Sequence, residues 1–239
     1  VRVILNKAET PKAVEQGREI AELSLKVDRI GSVSLAQARQ AGPVVEVHAR
    51  TAGIILAGGG SQRFGRPKLL EIWDGEALIR RSVRVAQDAG LDPIVVVLGA
   101  DGQVIREALG QLPVQITNNP DWAEGQSSSL RGGLTMLAPN VDGAVILLAD
   151  MPLVEADLLR TLVETHRKSL EPIVAPWTGE RWGNPVLFDR ATFEALSRIR
   201  GDQGGRALFK MYSTEAVPWG QEAMLDIDTP DDLDTIRRR

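Results

Sequence analysis

The chain has 239 residues, 43% hydrophobic and 25% charged, enough to bury the core of one large domain or of one domain with an appended piece. A formal net charge of −4 argues against a general nucleic-acid binder, whose footprint is basic. With no cysteine and only two histidines, His48 and His166, disulfides and thiolate sites are excluded, and any metal is expected to be a hard cation held by carboxylates.

No stretch approaches the roughly eighteen apolar residues of a membrane helix. The opening Val1 to Leu5 is too short for a signal peptide, so a cytoplasmic location is expected, with neither membrane nor nucleic acid as a partner. A start on Val rather than Met reads as a piece of something longer.

In chain order, Val1 to Leu5 reads as a strand. Ala13 to Leu25 reads as a helix carrying Val14, Ile20, Leu23 and Leu25 among charges, and Val44 to Val47 as another short strand. Ala49-Arg50-Thr51 is taken as the boundary between a partial α/β segment, residues 1–50, and a main domain, residues 51–239. The apolar run Ile54 to Ala57 is expected to be a buried strand. It stops at Gly58-Gly59-Gly60 and opens into a polar loop with Arg63, Arg66 and Lys68. Glycines after a strand let bare N–H groups approach an anion, and the cations add charge where a polyphosphate would lie. The spacing is neither that of the P-loop nor G-x-G-x-x-G, and the glycines alone fit a tight turn equally well.

Ala77 to Ala89 reads as a helix with Ile79, Val83 and Ala86 inward and Arg80, Arg81 and Arg84 on a solvated face. Ile94 to Leu98 is the pattern of a strand covered on both faces, followed by a helix Gln103 to Leu109 and a strand Val114 to Ile116. Alternating strands and helices predict a three-layer, Rossmann-like α/β fold with a mostly parallel central sheet. The polar loop from Thr117 through Asn118 to Ser129 leads into a helix Leu130 to Leu137. Gly125, Ser127, Ser128 and Ser129 there suit a phosphate or a base edge, although one serine could simply cap the helix. Ala144 to Ala149 is another buried strand ending in Asp150. That carboxylate is placed to hold Mg²⁺ or, on spacing alone, to cap a helix beginning near Val154. Strands follow at Ile173 to Pro176 and Val186 to Phe188. Trp177 and Trp182, in the loop between them, read as core or as a stacking surface. Thr229-Pro230 should cap the last helix, which leaves Asp226 and Asp228 on one face of an extended stretch. His166 falls in a helix surface pattern, and no Ser-His-Asp set is discernible.

Leu56-Ala57-Gly58-Gly59-Gly60-Ser61-Gln62-Arg63-Phe64-Gly65 with Lys68 resembles the L-A-x-G-x-S-x-R-x-G…K signature of nucleotidyltransferases of the molybdenum-cofactor type. The resemblance runs from about Thr51 to the C-terminus. It implies transfer of a nucleoside monophosphate from CTP or GTP to the phosphate of molybdopterin, with Mg²⁺ as cofactor. It assigns the triphosphate to Leu56 through Ser61, Arg63 and Lys68, the nucleobase to the loop of Asn118, Gly125 and Ser127 to Ser129, and the metal to Asp150 and Asp228. Arg63, Lys68 and Asp150 are then the catalytic set. Asn184-Pro185 and the Gly201-Asp202…Arg206 element match the substrate-binding motifs.

The serine run and Asn184-Pro185-Val186 are similar to the cytidylyltransferase branch, whereas Gly58-Gly59 is more common in the guanylyltransferase branch. A sugar- or polyol-phosphate nucleotidyltransferase and a non-catalytic cofactor chaperone stay as alternatives, with a molybdenum hydroxylase as a possible client. At the start of the chain, strand-Asn6-Lys7-Ala8-Glu9 resembles the guanine-reading element of GTPase-like domains, such as the tail of an accessory domain of selenium-dependent hydroxylases. Glu9 stands for the usual Asp and no P-loop precedes it, so no working nucleotide site is expected there.

Overall fold

The computed structural model describes residues 2–6, 10–27, 32–36, 44–61 and 63–238, and Lys7 to Glu9 of the guanine-reading resemblance lie outside them. The first segment forms β1 (Arg2–Asn6), α1 (Pro11–Leu25) and β2 (Ser32–Ala36), β1 and β2 being parallel. Next comes β3 (Val44–Ala57), one strand where two were expected. Its first half pairs antiparallel with β2, and its second half is enclosed by parallel neighbours. The ladder therefore continues through polar Arg50 and Thr51, which local hydropathy reads as a break.

The rest of the chain alternates. It runs through β4 (Ile72–Trp73), β5 (Glu76–Ala77), α2 (Leu78–Asp88), β6 (Ile94–Leu98), α3 (Gly102–Leu109) and β7 (Gln115–Asn118). Then follow α4 (Gln126–Thr135), β8 (Val141–Leu148), α5 (Ala156–Ser169), β9 (Ile173–Trp177), β10 (Val186–Asp189), α6 (Phe193–Arg198), β11 (Thr214–Pro218) and α7 (Pro230–Arg237). Across the main sheet the order is β7-β6-β3-β8-β10-β9-β11. All neighbours are parallel except β10, which runs against both β8 and β9. The edge strand β11 escapes a hydropathy reading because it is short, half polar and ends in Pro218, a residue confined to sheet edges.

Strand side chains alternate between two cores. Ile55, Val96, Val145, Leu147, Val174 and Leu187 pack under α2, α3 and α5. Ile54, Val95, Val97, Ile146, Ala175 and Phe188 pack with Leu130 of α4 and Leu196 of α6. That is the three-layer arrangement expected of strands buried on both faces, and each fully buried aliphatic contributes about 1.5–3 kcal/mol. A third cluster joins Phe64 of the glycine loop to Leu78, Ile227, Leu233 and Ile236, so the C-terminal helix holds that loop from below. Thr229 caps α7 in a reciprocal capping box with Asp232, with Pro230 in the first turn.

Three expectations are corrected by packing. Arg81 is not on a solvated face. It is buried, its Nε donates to the Pro152 carbonyl at 2.7 Å, and its Nη2 pairs with Glu155 at 2.5 Å. Arg80 likewise donates to the Ala108 and Leu109 carbonyls at the end of α3, leaving only Arg84 in a surface pairing, with Glu76 and Asp88. His166 is buried, with Nε2 3.1 Å from Asp189 Oδ2. In each case the partner lies far along the chain, which helical periodicity does not register.

Candidate active site

Chain order reverses between β3 and β8. From β3 the chain moves outward through β6 to β7, then returns to the other side of β3 as β8. In open α/β sheets the crevice beyond the carboxyl ends of such strands receives ligands. Leu56 and Leu148 are register partners there, and the Ala149 N–H donates to the Leu56 carbonyl at 3.2 Å. Gly58 and Asp150 consequently leave the sheet side by side. An open cleft of about 330 Å³ lies over them, lined by Leu56, Gly58 to Gly60, Trp122, Gln126, Ser129, Asp150 and Asp202.

The glycine loop is held by close approach. A Cβ on Gly99, after β6, would lie 2.2 Å from the Gly58 carbonyl oxygen, so two backbones meet where no side chain fits. Ser61 stands at positive φ (45°). Its carbonyl accepts from Phe64 and Gly65 N–H, and its Oγ accepts from Lys68 N–H at 3.2 Å. The turn carries Lys68 inward. Its ammonium is 2.6 Å from Asp150 Oδ2, 2.7 Å from the Ile227 carbonyl and 3.4 Å from Asp228 Oδ1. Asp228 Oδ2 is also 2.9 Å from Arg63 Nη2. Ile227 is buried and its N–H donates to the Asp150 carbonyl at 2.9 Å, so Asp226 and Asp228 fall on the opposite side of that extended stretch. Burial pushes the Asp150 carboxyl up, the Lys68 ammonium pulls it down, and Asp226 adds a smaller push upward. Glu155 stands at the cap position of α5, so Asp150 does not cap that helix.

The two carboxylates thus converge on one cation, the Lys68 ammonium. Mg²⁺ is commonly bound by one or two carboxylates, with water and phosphate oxygens completing its shell. This donor set fits a hard divalent cation shared with a polyphosphate. Among the described residues no group of three His, Cys, Asp or Glu could hold a metal by itself.

Helix α4 starts at Gln126, four residues earlier than expected, with Gly125 at φ 107° before it. The serines therefore occupy its first turn rather than a loop. Ser127 Oγ donates to the Gly201 carbonyl at 2.7 Å, which ties the Gly201-Asp202 turn to the cleft. Ser128 Oγ donates back to the Gly125 carbonyl at 2.8 Å, and Ser129 faces Gly58.

Asn118 is not brought in. It ends β7 on the exposed side with its Oδ1 accepting from Arg106 at 3.1 Å, while the next residue, Asn119, turns inward and is buried. Ala57 also points away, into the core under α2. Asn184 and Arg206 share a small cavity of about 20 Å³ with Leu56, Gln126 and Leu148, beside the main cleft, and Pro185 lines a smaller space near Met151. Burial lowers the Arg206 pKa, as does the nearby Arg181, while Asp226 raises it. Trp177 and Trp182 contact each other at 4.9 Å, and Trp182 meets Phe209 edge-on at 5.4 Å, a packed aromatic group attached to the second core. Trp122 and Gln126 line the cleft although the sequence reading gave them no role, their only signal being membership of a polar loop at a strand end. Asp226, set beside Asp228 by its spacing but given no role, lies close enough to Asp150 to act on its carboxyl.

Fold and site together define a nucleotidyltransferase-type α/β protein, with a glycine-walled cleft at the switch point and a carboxylate pair at its floor. Residues 53–217 match the sequence profile of the MobA-like NTP transferase domain, and the chain belongs to that family. It is 30% identical over 199 residues to purine catabolism protein PucB of Bacillus subtilis strain 168, covering 78% of this chain and 95% of that one. It is 27% identical over 196 residues to nicotine blue oxidoreductase of Paenarthrobacter nicotinovorans (78% and 93% covered). It is also 27% identical over 190 residues to the molybdenum cofactor cytidylyltransferase of Escherichia coli K12 (78% and 95% covered). Among solved structures, Rv0371c of Mycobacterium tuberculosis H37Rv superposes with a TM-score of 0.71 at 26% identity, covering 80% of this chain and all of that one. A manganese complex of Rv0371c superposes at 0.67, with 25% identity and 79% and 98% covered. No helix among the described residues is long and apolar enough to cross a membrane.

Proposed function

We propose that the chain transfers CMP from CTP to the terminal phosphate of molybdopterin, releasing pyrophosphate, with Mg²⁺ as cofactor. The observation that carries this reading is the convergence of Lys68, Asp150 and Asp228 beside the glycine-walled cleft. The cytidylyltransferase named among the relatives favours the same acceptor. In this reading the N–H groups of Gly58 to Gly60, with Arg63 and Lys68, hold the triphosphate, while Ser127 to Ser129 and Gly125 face the base. Asn184, Pro185, Asp202 and Arg206 receive the acceptor, and residues 51–239 form the catalytic unit. Asp150 and Asp228 would hold Mg²⁺, with Asp226 facing the same space, and the ion would neutralise charge developing on the phosphates.

The attacking oxygen belongs to a phosphate that is already anionic near neutral pH, so no side chain has to remove a proton. One P–O bond forms at the α-phosphorus as the bond to pyrophosphate breaks. Catalysis is then positioning and charge neutralisation by Arg63 and Lys68. The disposition of His166 agrees with this: its partner Asp189 is opposite Gly143, at the far end of the sheet from Asp150.

GTP is the second reading, favoured by Gly58-Gly59 and by a relative named as a probable guanylyltransferase from Chloroflexus aggregans. Pyrophosphate release with Mg²⁺ and molybdopterin, CTP against GTP, tests both. Release with CTP supports the first, release with GTP the second, and silence from folded protein with both nucleotides overturns molybdopterin as the acceptor.

A further inference from the structure

The amide of Asn119 is buried behind the cleft rather than lining it, yet its bonding sets the polarity of the cleft wall. Its Oδ1 accepts from the Asp121 backbone N–H at 3.0 Å, which fixes which way round the amide stands. Nδ2 is therefore the donor to Ser128 Oγ at 2.8 Å and to Ser129 Oγ at 3.0 Å, using both of its hydrogens. Ser128 passes its own proton to the Gly125 carbonyl. The Ser129 proton has no acceptor among the described residues. That hydroxyl lines the cleft over Gly58, where a Cβ would lie 2.7 Å from its Oγ. Asn119 also donates its backbone N–H to Leu98 at the end of β6, so the device is anchored to the sheet.

We propose that Asn119 is a positioning residue that turns the Ser129 hydroxyl into a donor aimed at an acceptor atom on the nucleotide's base. A donor at this point favours cytosine, whose pairing edge carries O2 and N3 as adjacent acceptors. It disfavours guanine, whose corresponding edge carries two N–H donors beside O6. This role rests on the nucleotidyl-transfer reading above and adds the element that selects between its two nucleotides.

The test is Asn119→Asp, which keeps the shape and the acceptor for Asp121 N–H but reverses the bonds to the serines. Ser129 then donates to the carboxylate and shows the cleft only lone pairs. Calorimetric titration with CTP and with GTP should give a CTP dissociation constant raised about tenfold, the loss of one hydrogen bond. GTP should be weakened less, so that the CTP-to-GTP preference falls, while kcat at saturating CTP stays within about twofold. General damage would weaken both nucleotides alike. Ser129→Ala should lose a similar factor for CTP, and the double variant should lose no more than Ser129→Ala alone.

An unchanged CTP affinity in Asn119→Asp, an unchanged nucleotide preference, or losses that simply add in the double variant would each overturn the role. If Asn119→Asp does not fold, Ser129→Ala decides, and a CTP affinity there equal to that of the native chain overturns it. Native protein that binds neither nucleotide removes the nucleotidyl-transfer reading itself and this role with it.

Discussion

The two flanks of the cleft are built by different means. On the β3–β8 flank, three separate stretches, the glycine loop, the Asp150 turn and the extended segment from Asp226 to Asp228, are cross-linked through one ammonium and a backbone hydrogen bond. On the β9–β10 flank, Asn184 lies in the bend before β10 and Arg206 in a 3₁₀ helix, Gly205–Lys210, beside packed aromatic and aliphatic groups. Arg206 has no hydrogen-bond partner among the described residues, and Arg181 opposes its charge. The first flank is preformed and internally neutralised, whereas the second carries an arginine that Arg181 opposes and Asp226 only partly offsets. On the proposed function, a triphosphate would have to displace existing contacts of Lys68, whereas an anionic acceptor would meet Arg206.

Breaking the first flank should have the largest effect. Asp150→Ala is expected to lower kcat by about a thousandfold or more, since several kcal/mol of charge stabilisation go with it. Single-turnover pyrophosphate release measures this, and turnover near the native rate would remove Asp150 from the reaction. Lys68→Ala should cost about a hundredfold, mostly in kcat, because it also leaves Asp150 and Asp228 facing each other without their shared cation.

The second flank should respond in KM instead. Arg206→Ala is expected to raise the acceptor KM by roughly 10–100-fold, the worth of a charge-assisted hydrogen bond, with the CTP KM unchanged. Equal loss in both substrates would put the two flanks in one site rather than two.

Support from behind the site should matter next. Arg81→Met removes the donor that holds the Pro152 carbonyl just past Asp150. Its partner Glu155 is largely exposed and can rehydrate, so the cost should be about 2 kcal/mol, less than for a fully buried pair. Urea denaturation gives the figure, and Arg81→Lys should rescue little of it because one ammonium cannot span both partners.

The smallest effect is expected at the cap of α7. Thr229→Ala should cost about 1 kcal/mol at neutral pH. The Thr229 hydroxyl, more than any other neighbour, holds the Asp232 carboxyl below its ordinary range. That contribution is present above the ordinary carboxylate pKa and is lost as pH falls through the lowered one. The gap in melting temperature between Thr229→Ala and the native chain should therefore narrow in acid.

Much of this was legible in residue order. Ile94 to Leu98 and Ala144 to Leu148 are apolar enough to announce strands buried on both faces, and the glycine loop and Asp150 sit at strand exits. What sequence did not convey depends on distant partners or on register. Arg81 shares helix α2 with Arg84, which does reach solvent, and its burial is decided by Pro152 and Glu155, 71 and 74 residues on. The choice between Asn118 and Asn119 turns on where β7 ends, a matter of one residue. The single strand β3 was divided because Arg50 and Thr51 are polar, although ladder bonds to β8 carry the backbone through them.

That unbroken strand has a practical consequence for cutting the molecule down. At about 3.3 Å per residue, β3 is a rod on the order of 45 Å long whose first half is zipped to β2. A shortened chain beginning at Val44 would keep that half and strip its partner, exposing a row of unsatisfied amides and carbonyls that invites pairing between molecules. One beginning at Thr51 would discard the bare edge and keep every strand that borders the cleft. The more generous truncation is thus the one expected to aggregate.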